Sequence, residues 1–169
     1  MIKNKKNYNN VIAIGLFFFS IVLPSVVGEF SAELHLSEYF NLQYLLVYFF
    51  SFNRFKYFSI STLFILGLVN DSIVGTPFGI SSAAYMLIYK IAIYQETIKL
   101  RTIFTAEWIA FGISIFITYL FILIAFYLIG RGFDYKLFIF NFLGSFFIYP
   151  IVWMILKSFF LKLERAGNE

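Results

Sequence analysis

Cysteine is absent from this chain, and histidine occurs once, at His35. The first absence excludes disulfides and thiolate chemistry, and the second leaves little for a metal site, which needs several His, Cys or carboxylate ligands at suitable spacing. Charge is scarce as well. Only 13% of the 169 residues are charged, against 61% apolar and 23% aromatic, with a mean hydropathy of +0.84. A water-soluble fold could not use this much Phe, Ile and Leu without exposing it, so the composition specifies an all-α integral membrane protein, a single polytopic domain over residues 1–169. The net charge of +4 does not point to nucleic acid, because the basic residues are not gathered into a basic domain. They orient the chain in a membrane instead.

What is present is a series of six apolar runs, at approximately residues 11–27, 39–52, 57–69, 78–94, 108–129 and 137–156. A straight span needs about 20 apolar residues, so the fifth and sixth are ample, while the second and third must borrow flanking residues or thin the bilayer. The separators are loop-sized and leave no room for a folded extramembrane domain. Basic residues favour the cytoplasmic ends of spans. With the N-terminus inside, Lys3, Lys5, Lys6, Arg54, Lys56, Lys99, Arg101, Lys157, Lys162 and Arg165 all fall on the cytoplasmic side, and only Arg131 and Lys136 fall opposite. Six spans with both termini cytoplasmic satisfy this distribution. The first run also resembles a secretory signal, with small residues near Ser25 and Gly28, but it exceeds the ~7–15 residues of a signal core and carries Pro24 late, so a retained span fits better. The aromatics follow no fixed period and carry no functional weight here.

With only three prolines and ten glycines in the chain, the places where they cluster stand out. Residues 67–79, GLVNDSIVGTPFG, bring together Asn70, Asp71, three glycines and Pro77. In the six-span order this is the extracytoplasmic hairpin between the third and fourth spans. Thr76 is placed to cap the fourth helix with its hydroxyl oxygen, and Pro77 suits the first helical position, where no N–H is needed. Gly75, Gly79 and Ala83 recur every four residues, with Ser82 adjoining, which predicts a nearly bare helix face. Lipid offers no hydrophobic drive for helix pairing, so such faces mark close backbone packing. Gly67 adds a small surface at the end of the third span.

That third span, ~20 Å of helix against ~30 Å of hydrocarbon, draws the hairpin below the headgroups. Irregular backbone at that depth must be buried in protein or line a wet cavity, and Asn70, Asp71 and Ser72 can satisfy its amides through local side-chain bonds. Asp71 then has two readings. It organises the turn, in which case Asn would serve as well, or its charge faces a pocket or partner. The sequence leaves both open.

These residues carry a resemblance. A helix ending GLVND, a spacer, GTPFG and the small-faced SSAAYMLIYK resemble the bacterial rod shape-determining MreD family. Leu23 and Pro24, the LLVYFF run before Arg54, and the closing YPIVWMILKSFF with its basic flank extend the likeness over nearly the whole chain. Where the family carries an Arg-Pro-Asp-like approach to the second span, this chain reads LSEYFN, so no role is carried over for those positions. The resemblance implies a fold similar to the six-helix substrate-binding subunits of energy-coupling-factor vitamin transporters. It also implies a place in the inner membrane among the cell-elongation proteins: MreC, and through it the MreB filament, RodA and a class B penicillin-binding protein.

The expectation is therefore a noncatalytic scaffold, surrounded by membrane lipid, with no cofactor and no nucleic-acid partner; self-association is a further alternative. The residues assigned to the structural or partner-contact motif are Gly67, Asn70, Asp71, Gly75, Pro77, Gly79 and Ala83. The competing class is a vitamin-transporter binding subunit, for which Asn70, Asp71, Glu29, Glu33 and Glu38 are the extracytoplasmic polar candidates. Trp108 and Trp153 suit interfacial packing better than a ligand cage. An enzyme lacks support: no metal-ligand cluster or triad is spaced for chemistry, and a dyad of Ser81 or Ser82 with Lys90 would need a deep, neutral lysine. Lys90, about one turn from the cytoplasmic end, is expected to snorkel to the interface. His35, in an acidic loop, reads as a solvated surface residue.

Overall fold

The computed structural model describes residues 12, 15–19, 41–54, 58–98, 104–130, 132 and 135–166, with side chains in the last helix described as far as Lys162. Among these residues all regular structure is helical. The helices are α1 (Leu42–Phe52), α2 (Ile60–Val74), α3 (Ile80–Thr97), α4 (Phe104–Ile129) and α5 (Tyr135–Ala166), joined by a helical stretch over 15–19. Polar caps set two of the starts. The Asn41 side chain accepts from the Tyr44 N–H at 3.3 Å, and the Ser59 hydroxyl accepts from the Thr62 N–H at 3.3 Å, each satisfying an amide with no intrahelical partner.

Two helices among the described residues are long and apolar enough to cross a membrane: α4, with 26 residues, and the 28 residues of α5 from Tyr135 to Lys162. Among the described residues, these two are the expected spans that meet this length and composition, and six spans are not supported. α1 and α2 have 11 and 15 residues, about 16 and 22 Å of helix against about 30 Å of hydrocarbon. α3 has 18 residues, but Lys90, Gln95, Glu96 and Thr97 make its later turns polar. Most of the first apolar run, and the whole loop carrying Glu29, Glu33, His35 and Glu38, lie outside the described residues.

Short as it is, α1 sits at the centre. Every residue from Tyr44 to Phe52 is buried, which is the pattern of a helix enclosed on all sides. α3 packs against α1, α2 and α4, and α5 packs against α4 and α1. The core is aromatic: Phe111 stacks on Tyr149 with ring centroids 4.2 Å apart, and Tyr48 meets both Phe111 and Tyr149 edge-on. Such pairs add about 0.5–1.5 kcal/mol beyond the area they bury. Phe17, fully buried, meets Phe58 and Tyr85 edge-on at 5.4 Å each and so ties the 15–19 stretch to the helices that follow. In contrast, the outer faces of α4 and α5 present Ile109, Ile113, Phe116, Phe147, Ile151 and Met154 to the surroundings.

Candidate functional site

Asp71 is the focus of the first polar cluster. The third helix was expected to stop at residue 69, leaving Asn70 to Pro77 as a loop. Instead α2 continues to Val74 and carries Asn70, Asp71 and Ser72 in its last turns. The gain that extends it comes from the next helix. Asp71 is only 1% exposed. Its Oδ1 accepts from the Thr76 hydroxyl at 2.7 Å and the Ser81 N–H at 3.1 Å, and its Oδ2 accepts from the Gly79 N–H at 2.7 Å. Two of these donors are amides at the start of α3, where a helix has N–H groups without internal partners and favours negative charge. Asp71 thus caps α3 from the end of α2.

This arrangement changes the roles of its neighbours. Thr76 does not cap α3 with its oxygen as expected; its hydroxyl donates to Asp71. The residue at the N-cap is Gly79, without a side-chain bond, and Pro77 precedes it, its carbonyl accepting from Ile80 at 3.3 Å. The expected small face of Gly75, Gly79 and Ala83 is also corrected. Gly75 (φ 74°) and Gly79 (φ 96°) are in left-handed conformations, and a Cβ on either would meet nothing within 4 Å. Their function is to let the chain reverse between α2 and α3, not to admit a neighbouring helix. Ala83 lies on α3, half-buried, and its N–H donates to the Gly79 carbonyl at 2.9 Å. The close approach is made by Gly67, facing Ser82.

Asn70 extends the cluster into α1. Its Nδ2 donates to the Ser81 hydroxyl at 3.0 Å, and its Oδ1 accepts from Gln43 Nε2 at 2.9 Å. Gln43 in turn accepts from the Tyr85 hydroxyl through Oε1. Ser82 donates to the Phe64 carbonyl at 2.9 Å, across the α2–α3 crossing. Ser81 and Ser82 therefore bond to α2, and Lys90 is exposed.

A second cluster surrounds Glu107, in the first turn of α4, where its charge complements the helix dipole. It is 6% exposed. The Tyr149 hydroxyl and the Trp153 indole N–H both donate to its Oε1, at 2.7 and 2.9 Å. Tyr48 donates to Gln95 Oε1 at 3.0 Å, and Gln95 Nε2 donates to the Ala110 carbonyl at 3.0 Å. Ser114 lies within reach of the same Gln95 oxygen. Beyond the end of α1, Arg54 pairs with Glu96, joining that end to the end of α3.

Trp108, beside Glu107, makes a bond of a different kind. α5 runs unbroken through Pro150. A proline has no N–H, so the carbonyl four residues earlier, that of Phe146, loses its helical donor. The Trp108 indole N–H donates to this carbonyl at 2.8 Å. The Trp108 ring also stacks on Phe146, with centroids 5.0 Å apart. Both tryptophans are packing residues, as expected, but each is fixed by a specific acceptor.

Glu107 was not singled out in the sequence, because it closed an expected loop ending at that residue. A signal was present: Glu107, Ser114 and Thr118 lie at helical spacing along an otherwise apolar run and are all buried. Among the described residues no three His, Cys, Asp or Glu side chains gather where they could hold a metal ion. Comparison of the chain with protein-family models, with curated proteins and with solved structures gave no match.

Proposed function

We propose that the chain is a noncatalytic scaffold subunit of the bacterial cytoplasmic membrane, multi-pass with both termini cytoplasmic. In this reading, drawn from the resemblance to the MreD family, it binds MreC and through it couples MreB filaments to wall synthesis by RodA and a class B penicillin-binding protein. The observation that carries the reading is the saturation of Asp71. All three of its hydrogen bonds go to the turn and helix that follow it, so the residues bearing the resemblance build a fixed helix pair. The broad apolar faces of α4 and α5 are then left for lipid and partner helices.

A vitamin-binding subunit would need polar side chains turned toward a ligand. Gln43, Asn70, Ser81 and Tyr85 bond to one another instead. The groove between α4 and α5, of about 450 Å³, is lined by apolar residues including Ile113, Phe116, Phe142, Leu143 and Phe147. The test is affinity purification from the native bacterium in mild detergent, together with depletion of the protein. Recovery of MreC and rounding of the cells are expected. Unchanged rod shape with no MreC recovered would reject the scaffold reading.

A further inference from the structure

The bond from Trp108 to the carbonyl freed by Pro150 belongs to a larger arrangement in which adjacent residues of one α4 turn hold α5 on both sides of its proline. Trp108 takes the Phe146 carbonyl, four residues before Pro150. Glu107 accepts from Tyr149, immediately before it, and from Trp153, three residues after it. Phe146 is held from a third direction, since a Cβ on Gly112 of α4 would fall 2.6 Å from its ring. Proline inside a helix loosens the local ladder and is the commonest cause of a sharp bend. In an apolar setting the freed carbonyl must find another donor. Here that donor comes from another helix, which makes the local geometry of α5 depend on α4.

We propose that Pro150 is a hinge in α5 and that Glu107 and Trp108 are its latch. With the indole N–H on the Phe146 carbonyl, the two halves of α5 keep one angle. When it withdraws, the carbonyl turns toward another donor and the half beyond Pro150 swings relative to α1 and α3. The moving half carries Trp153, with Lys157 stacked over its ring at 4.2 Å, and the exposed Lys162. Its Phe160 meets Phe50 of α1 edge-on, with ring centroids 5.8 Å apart. The device thus links the first turn of α4 to the position of a basic helix end, and it does not depend on which partner the scaffold holds.

The chain contains no cysteine, so spin labels can be placed at Tyr94→Cys on α3 and Ser158→Cys on α5, both exposed positions. The labelled full-length protein in nanodiscs is expected to give one narrow distance. Trp108→Phe keeps an aromatic ring against Phe146 but removes the donor. It should broaden or shift the distance by about 5 Å, the travel of a ~12 Å arm turned through somewhat more than 20°. Adding Pro150→Ala restores a backbone N–H for Phe146, so the narrow distance should return. An unchanged distance in Trp108→Phe overturns the hinge. A change that persists with Pro150→Ala also overturns it, because packing rather than the carbonyl would then be responsible. If Trp108→Phe alone fails to accumulate, rescue by Pro150→Ala supports the latch and failure of rescue rejects it.

Discussion

Gly67 and Ser82 cross with no room for a side chain between them: a Cβ on residue 67 would lie 2.4 Å from the Ser82 Cα and 2.5 Å from its backbone nitrogen. Both obstructing atoms are main chain and cannot rotate aside. Gly67→Ala should therefore force α2 and α3 apart at a cost of about 1–3 kcal/mol, the usual range for overpacking. It should also break the Ser82 bond to the Phe64 carbonyl. Gly75→Ala meets open space and pays only for its left-handed backbone, about 1–2 kcal/mol. Thermal unfolding midpoints in one detergent compare the two. A Gly67→Ala protein as stable as the parent would contradict the crossing.

Asp71 distinguishes a simple turn residue from a helix cap in a measurable way. With donors on both oxygens, Asn cannot replace it, because its amide nitrogen would face either Gly79 N–H or the pair from Thr76 and Ser81. Asp71→Asn should lose about 1–3 kcal/mol, and Asp71→Leu, which removes every acceptor, should lose more. Membrane abundance and unfolding midpoint report the order. Full stability of the Asn variant would sink the cap.

At Glu107, Tyr149 and Trp153 share Oε1, an acceptor that Gln retains, so Glu107→Gln should lose less stability than Glu107→Leu. Glu107→Leu leaves a hydroxyl and an indole N–H without that acceptor, at about 1–3 kcal/mol each. Equal losses in the two variants would show that charge, and not the acceptor, is what the site requires.

The proposed placement of both termini in the cytoplasm predicts that Asn168→Cys is labelled by a membrane-impermeant thiol reagent only after lysis, and not in intact cells. Labelling of Asn168→Cys from outside would overturn the placement of both termini in the cytoplasm.

Much of the helix order was legible because Gly, Pro, Asn and Ser are so rare between the apolar runs that each cluster marks a boundary. α1 and α4 end where their runs were expected to end, at Phe52 and Ile129. The errors have physical causes. Asn70 and Asp71 read as loop residues by local preference, but tertiary hydrogen bonds draw them into α2. The four-residue spacing of Gly75 and Gly79 suggested one helix face, yet the chain reverses between them and needs positive φ at each. α5 continues to Ala166, past the expected limit of 156, because nothing in LKSFFLKLERA stops a helix. Glu107 needed the partners Tyr149 and Trp153, 42 and 46 residues away, before its role could be seen.

The Asp71 cap also bears on the order in which the chain assembles. Its bonds to Gly79 and Ser81 close over 8 and 10 residues, whereas the bond from the Asn41 N–H to the Ser145 hydroxyl closes over 104. Short closures cost less chain entropy, and an elongating polypeptide makes them first. The α2–α3 hairpin is thus complete while α5 is still being synthesised. α1, whose Tyr48 packs against Tyr149, waits longest for its surroundings. α5 closes the core around α1, a helix made well before it.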